Sequence, residues 1–441
     1  MLAAVSLLAS VAALAIPATA LRGEDDRPTE VRWYRGNTHA HSLWSDGNDF
    51  PEMIVERYVD AGYDFLAISD HNTLHTGERW MDLATVEGRG GSKALEEYVE
   101  HFGEDWVERR TVEVTAEDGS PGERHEVRLR RFDEYRGRFE KPEQFLLIQA
   151  EEISASFARL PIHINAINLA ETLPPLTGDS VRDVIHRNLM AITKQAERLG
   201  IPIIAHINHP NFGWAMTAED LAGVLAEEFI EVYNGHPAIN HEGDESHPGV
   251  ERLWDIANTL RLGTLNAPPL LGLGTDDAHH YHGTRDSRML RGWIMVKADA
   301  LSPEALIAAM RRGDFYATSG VTLTGVEFDG EELRLEIDAK PGVSYTTQFI
   351  GTRRGYDRTS EPVEDPYGRP LTRRYAPDVG AVLAEVAGTA PSYRLTGDEL
   401  YVRAAVISTR VHPNPSHANQ VERAWTQPVG WRLRSDGAPS E

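Results

Sequence analysis

The sequence predicts an α/β fold: a parallel sheet or barrel carrying helices, followed by a small β-rich region. Three observations carry this reading. Short apolar strand patterns alternate with helix patterns from Val31 to about Gly313. Polar, ligand-type residues recur where those strands end, which is where active sites assemble in (β/α) barrels. From about Val321 the helical pattern gives way to a series of short strand-like runs.

Val31 to Asn37 reads as a strand leading into His39-Ala40-His41. Residues two apart on an extended chain point to the same side, so both imidazoles can grip one metal ion, or can simply share an exposed polar face. Asp46 follows on the loop. Pro51 opens a helix that Gly62 stops, as the Pro-first, Gly-last asymmetry expects. Asp64–Ser69 is a short strand with Asp70-His71-Asn72 at its end. Thr73 to Pro142, rich in Glu, Arg and Gly, reads as an insertion with a helix near Ser92–Phe102.

The alternation resumes with a strand at Phe145–Ala150 leading into Glu151-Glu152-Ile153-Ser154, and another at His163–Leu169. Asp179 or Ser180 caps a helix to Leu199, closed by Gly200 and Pro202. The strand Pro202–Ile207 ends in Asn208-His209-Pro210, with His206 inside it. Thr217-Ala218-Glu219-Asp220 resembles a capping box. Phe229–Tyr233 is a strand ending Asn234-Gly235-His236, and a helix around Val250–Leu260 follows. Leu270–Leu273 ends in Gly274-Thr275-Asp276-Asp277-Ala278-His279. Trp293–Lys297 is a late strand, and Ser302-Pro303-Glu304 starts a helix closed by Gly313. Beyond it, Val326–Asp329, Leu333–Ile337, Tyr345–Gly351, Ser392–Leu395, Tyr401–Ile407 and Trp425–Leu433 read as strands, with Arg353–Asp378 as a polar loop.

At 441 residues the chain is long for one core, so two domains are expected. Its 41% hydrophobic and 25% charged content describes a soluble globular protein. A net charge of −24, from 44 basic and 68 acidic residues, argues against nucleic acid and anionic membranes as partners. A small-molecule substrate is expected instead. Met1–Ala20 is an apolar run ending in a small-x-small pattern, which reads as a signal peptide and a secreted or periplasmic protein; no basic residue precedes it, so an uncleaved anchor is the other reading. With no cysteine, any metal must be held by His, Asp and Glu, which suits zinc, manganese or iron.

The strand-end residues His39, His41, Asp46, His71, Glu152, His163, His206, His209, His236, Asp277 and His279 form one constellation. A lone histidine at a strand end is ordinarily structural. Charged and imidazole groups gathered in one cavity are costly unless they bind something, so the set predicts a multinuclear metal site.

The ordered motifs His39-Ala40-His41, Ser45-Asp46-Gly47, Asp70-His71, Glu152-Ile153-Ser154, His209-Pro210 and Asp277-Ala278-His279 resemble the PHP (polymerase and histidinol phosphatase) superfamily over about Trp33 to Ser319. The resemblance implies a distorted (β/α)7 TIM-like barrel over residues 31–319, with the insertion at about 73–142 and a small all-β accessory domain at 321–441. Of these, the insertion and the 321–441 domain are read from the pattern of the chain, since the resemblance ends near Ser319. The resemblance implies two or three divalent metal ions. His39, His41, Glu152 and Asp277 would hold the first; Glu152 would bridge to a second held by His163 and His209; Asp46, His71 and His279 would hold a third. Glu151 and Glu152 alternate faces, and the family phrasing favours Glu152; the Asp-x-His spacing favours Asp277 over Asp276. His206 stays open as an alternative ligand to His209, and His236 as substrate-facing or structural.

The implied activity is metal-dependent hydrolysis, with hydroxide generated between the ions near neutral pH and a phosphoester as the expected substrate. A carbamate, ester or amide hydrolase on the same site, and a non-catalytic metal-bearing binding protein, are the competing readings. Arg285, Arg288 or Arg291 could clamp a phosphate or make surface ion pairs. Asp277 or a neighbouring histidine such as His236 could protonate the leaving group.

Overall fold

The computed structural model describes residues 31–115 and 118–434. The expected signal peptide at 1–20 lies outside the described residues. From Val31 onward the chain is one compact unit.

The chain opens with β1 (Arg32–Asn37), α1 (Pro51–Asp60) and β2 (Phe65–Ile68). The insertion then forms β3 (Arg79–Asp82), α2 (Leu83–Gly90), α3 (Ser92–Phe102), β4 (Arg109–Thr115), β5 (Pro121–Leu129) and α4 (Phe132–Phe139). The body continues through β6 (Leu146–Phe157), β7 (Leu160–Ile167), α5 (Val181–Leu199), β8 (Ile204–Ile207), α6 (Ala218–Gly223), β9 (Phe229–Asn234), α7 (Val250–Gly263), β10 (Leu271–Thr275), β11 (Trp293–Ala298), α8 (Pro303–Arg312) and β12 (Phe315–Thr318). The remaining strands are β13 (Leu323–Phe328), β14 (Glu332–Ile337), β15 (Tyr345–Arg353), β16 (Ser360–Glu364), β17 (Pro370–Tyr375), β18 (Ala381–Ala387), β19 (Ser392–Arg394), β20 (Glu399–Val411) and β21 (Val421–Thr426).

Local rules explain the helix ends. Ser180 caps α5 through Asp183 N, and Gly200 closes it in the left-handed conformation. Thr217 and Asp220 make the capping box of α6. Pro303 sits in the first turn of α8, and Gly313 ends it.

A 13-stranded sheet runs in the order β10-β9-β8-β7-β6-β2-β1-β11-β12-β21-β20-β15-β18. Pairs β1–β2, β2–β6, β8–β9 and β9–β10 are parallel. The sheet departs from the expected parallel alternation at β7, which runs antiparallel to both neighbours. The cause is local. β6 continues past Glu152 to Phe157 and turns at once through Ala158 and Arg159, both at positive φ, leaving no room for a crossover helix. His163 therefore sits inside a reversed strand opposite Ser154.

Four strands of the C-terminal region extend the same sheet, β21 pairing with β12 and then with β20, followed by β15 and β18. Three expectations need correction. The insertion holds a three-stranded antiparallel sheet and further helices besides the one expected at Ser92–Phe102. The supposed loop Arg353–Asp378 contains the β16–β17 hairpin, whose polar, arginine-rich strands are exposed on both faces and so lack the alternation that marks a half-buried strand. Trp425–Leu433 likewise divides into β21 and a 3₁₀ turn at Trp431–Arg434.

The apolar core lies on both sides of this sheet. Ile148, Ala150, Ile204, Leu273 and Ile294 pack with Leu306 and Met310 of α8. Ile164, Ile207, Ile230 and Val232 pack against α5, α6 and α7. A rigid interior of this kind is what holds polar strand ends in fixed positions.

Candidate metal centre

His39 and His41 follow β1 on a buried segment bridged in parallel fashion between Ala40 and Ala278. The backbone ties are direct: Asp277 N donates to His39 O at 2.9 Å, and His41 N to Ala278 O at 2.8 Å. Glu152 is placed by a second bridge, to His71. Four ligand atoms converge: His39 Nε2 lies 3.4 Å from Glu152 Oε2 and 3.3 Å from Asp277 Oδ1, and His41 Nε2 lies 3.3 and 3.2 Å from the same two oxygens.

His39 Nε2, His41 Nε2 and Glu152 Oε2 are buried without a hydrogen-bond partner. Tetrahedral ligands bound at about 2.0–2.1 Å lie about 3.3 Å apart, so the donor set fits a divalent ion held by His39, His41, Glu152 and Asp277. Asp277 reaches this position with φ at +48°, a conformation the surrounding contacts impose.

The donors continue on either side. His163 Nδ1 is 2.9 Å and His209 Nε2 3.5 Å from Glu152 Oε1, while Asn208 Nδ2 donates to that oxygen at 2.8 Å. On the other flank, Asp46 Oδ1 lies 3.9 Å from His41 Nδ1, 3.6 Å from His71 Nε2 and 3.4 Å from His279 Nε2. Three compact groups of metal-type ligands result: His41, Asp46, His71 and His279; His39, His41 and Glu152; His71, Glu152 and His163. His41 and His71 each belong to two groups because their two ring nitrogens face opposite ways. The resemblance assigned His41 to the first ion and His71 to the third alone.

The loop carrying Asp46 is folded back by Asp70, which accepts from Ser42 N at 2.8 Å, from Ser42 Oγ at 2.5 Å and from Ser45 Oγ. Asn48 N donates to His279 O at 2.9 Å and closes the loop onto the far ligand. Gly47 permits the fold, since a Cβ there would lie 2.4 Å from His41 O.

The charges suit cation binding. Burial raises the Glu152 carboxyl, but His71, His39 and His163 outweigh it and hold the group well below the usual range. Asp277 is held well below its range in the same way, burial being overcome by His39, His41 and His279. Burial, reinforced by His279 and His71, lowers His41 to about 4 and keeps it in the neutral form a metal needs.

Sequence reasoning missed the groups behind the ligands. Glu231, buried in β9, accepts from His39 Nδ1 at 2.7 Å, from Thr275 Oγ1 at 2.8 Å, and from His209 N and Asn234 Nδ2 at 2.8 Å each. A carboxylate behind a ligating imidazole fixes its tautomer and direction. The signal was present: a glutamate in the otherwise apolar Phe229-Ile230-Glu231-Val232-Tyr233. Asn165 and Asn208 support Glu152 in turn.

The other candidates fall as follows. Glu151 points away and accepts from Leu173 N, and Asp276 is capped by Tyr58 and the backbone of residues 290–292. His206 is buried 3.2 Å from Thr38 Oγ1 and lies outside the three donor groups. His236 stands at the rim, its ring 5.6 Å from that of His279. Arg288 is half exposed, and its contacts are the Arg285 carbonyl and Asp286. Arg291 is buried against Gly235 O, Asp286 and Asn414, a structural arrangement.

Among solved structures the chain is distantly similar to several proteins. A two-domain protein from Bacteroides vulgatus, described as containing a predicted PHP-like metal-dependent phosphoesterase, is 14% identical, with 90% of this chain and 96% of that chain covered at a TM-score of 0.36. An amidohydrolase from Chromobacterium violaceum, solved with bound sulfate and no metal, is 14% identical over 56% of this chain and 88% of that one, at a TM-score of 0.28. No family model and no curated protein matches the sequence. Likenesses this distant carry no argument, and the chemistry rests on the convergent donor atoms.

Proposed function

We propose that the protein is a metal-dependent hydrolase acting on a small phosphoester, built on a distorted (β/α)7 barrel and exported through its N-terminal signal. The observation that carries this is the meeting of His39 Nε2, His41 Nε2, Glu152 Oε2 and Asp277 Oδ1 at 3.2–3.4 Å, three of these atoms being buried and unpaired. Bound there, two or three divalent ions would lower the pKa of water and polarise the scissile group. Unpaired polar atoms buried side by side are costly, so a cation is the partner that makes this arrangement stable.

The chain's own residues divide the remaining work. Glu231 holds the His39 ring so that Nε2 faces the donor cluster. Asn234 Nδ2 donates to Asp277 Oδ2 at 3.1 Å, leaving Oδ1 turned to the two histidines. His236 stands at the rim, its ring 5.6 Å from that of His279, where its imidazolium form could pass a proton to a departing oxygen. Phe212 packs beside His209 and His236, with ring centroids 5.2 and 6.2 Å away, and walls one side of the approach. The 321–441 region is proposed as an accessory domain to the 31–319 body.

The test is turnover by protein reconstituted with zinc, manganese or iron(II), with metal content measured alongside. p-Nitrophenyl phosphate should be hydrolysed and 1-naphthyl methylcarbamate should not. Carbamate cleavage alone would move the protein to the carbamate-hydrolase reading. Two or three bound ions with no turnover of either would leave a metal-bearing binding protein.

A further inference from the structure

One side-chain-lined cavity lies away from the metal centre. It has a volume of about 420 Å³ and lies between the segment after β9, the start of α7 and the stretch leading into β21. That volume is in the range of small-molecule sites. One side is aromatic. Trp425 and Tyr233 stack with centroids 5.6 Å apart and planes 19° from parallel, and Tyr233 stacks on His241 at 5.0 Å and 14°. His417 adds a fourth ring 5.7 Å from His241.

The charges of the lining balance in number. Glu251 is shared by Arg403 at 3.3 Å and Arg423 at 3.0 Å. Glu242 and Arg252 contribute one charge of each sign. Burial lowers His241 to about 4, so its imidazole is neutral, and burial lowers His417 as well. The lining thus carries two acidic and two basic side chains, Glu242, Glu251, Arg252 and Arg423, and no net charge to attract an ion. A donor is left instead: the indole N–H of Trp425 is buried near enough to Glu251 to lower its carboxyl, yet has no partner at hydrogen-bonding distance.

We propose that this cavity is a second ligand site, separate from the metal centre, that takes an uncharged planar aromatic molecule bearing a hydrogen-bond acceptor. The rings favour a flat partner through offset or edge-on packing, and the Trp425 N–H supplies the polar contact that sets its orientation. A buried donor without a partner costs free energy that an acceptor on the ligand would recover. The site is also joined to the metal centre by a short relay: His241 Nε2 bonds to Asn234 O at 2.7 Å, and Asn234 Nδ2 donates to Asp277.

Calorimetric titration of the full-length protein with 4-hydroxybenzamide tests the assignment, with benzoate and cyclohexanecarboxamide as anionic and non-planar controls. Saturable binding of 4-hydroxybenzamide, at least tenfold tighter than either control, is expected. Ala418→Trp, at an exposed position on the cavity wall, should abolish it by filling the space. Trp425→Phe keeps a ring and removes the N–H, and should weaken binding about fivefold to tenfold. The His39→Ala/His41→Ala double variant should bind the probe as the parent does. Circular dichroism confirms that each variant is folded. No binding, equal binding by folded Ala418→Trp, tighter binding of benzoate, or loss of binding in the His39/His41 variant would each overturn the proposal. Because the titration needs no turnover, its outcome is independent of whether the metal centre is a phosphoesterase.

Discussion

Two of the places where the molecule buries charge do it in opposite ways. Against the C-terminal strands, Arg403 lies fully buried between Asp255 and Glu251, donating to Asp255 from Nε at 2.8 Å and Nη2 at 2.6 Å, with Tyr401 OH on the same carboxylate at 2.9 Å. Its guanidinium also covers Trp254 at 4.7 Å. Each carboxylate there has its counter-charge. At the metal centre Glu152 Oε2 and Asp277 Oδ1 meet His39 Nε2 and His41 Nε2, two imidazole nitrogens with no hydrogen-bond partner. The first arrangement is complete as protein, whereas the second is complete only with something added. Pairing, rather than burial alone, separates a structural ion cluster from a binding site.

The sharpest break of that comparison is at the donors. His39→Ala/His41→Ala should lower metal content and cut kcat/KM by roughly 10³-fold or more, since the ions supply several kcal/mol of transition-state stabilisation. The fold, checked by circular dichroism, should persist. Unchanged turnover would remove the site assignment. The seam should behave the other way. Arg403→Met strands Asp255 in the interior and should cost about 3–5 kcal/mol in urea unfolding. The double change Arg403→Met/Asp255→Leu should recover much of that loss, because it removes both charges. If the double variant is no better than the single, the seam is not simply a paired charge.

A subtler test lies behind the ligands. Glu231 touches the ligand residues through the His39 ring and the His209 backbone N–H, so Glu231→Gln keeps every ligand and weakens the carboxylate that orients them. Metal affinity should fall about 10–100-fold with the donors intact. Competition with a chelator reads this, and an unchanged affinity would show that His39 is positioned by its backbone alone.

How much of this was legible in the sequence follows the same division. His39, His41, Asp46, His71, Glu152, His163, Asp277 and His279 stand together because each sits at a strand end or on a ligand-spaced motif, and period-2 alternation tells which face it takes. Alternation puts Glu151 and Glu152 on opposite faces, but the choice of Glu152 came from the Glu-Ile-Ser phrasing of the resemblance, and that of Asp277 over Asp276 from the Asp-x-His spacing. The reversal of β7 was not legible, since a strand pattern carries no direction; it changes His163 from a strand-end residue to one in mid-strand. Glu231 was hidden because a single charge in an apolar run gives no partner to reason from. Arg403 and Asp255 were hidden more deeply, lying 148 residues apart, and only the tertiary fold brings them to 2.6 Å.

Glu52 offers a third solution to buried charge and the gentlest test. It is fully buried in α1, accepts from Tyr98 OH at 2.7 Å and Trp106 Nε1 at 3.1 Å, and its second oxygen has no partner. Its neighbours at those distances are neutral donors and no second ligand converges on it, so it can stay in the interior by keeping its proton. Burial pushes it up to about 7, with the hydrogen bonds from Tyr98 and Trp106 only partly opposing. Between its ordinary value of 4.5 and about 7 the folded state holds a proton that the unfolded state has released, so stability falls as pH rises through that window and levels off above it. Glu151, pushed to about 7, and Glu227, to about 8, add the same sign, so the parent curve contains all three. Glu52→Gln isolates one of them: the neutral amide keeps the acceptor and does not titrate. The difference between variant and parent, from urea unfolding at pH 5 and pH 8, should therefore favour the variant by about 1–3 kcal/mol more at the higher pH. A difference that is flat with pH would mean that Glu52 is ionised in the folded protein and that a cation reaches its free oxygen, which would place it with the metal ligands instead of apart from them.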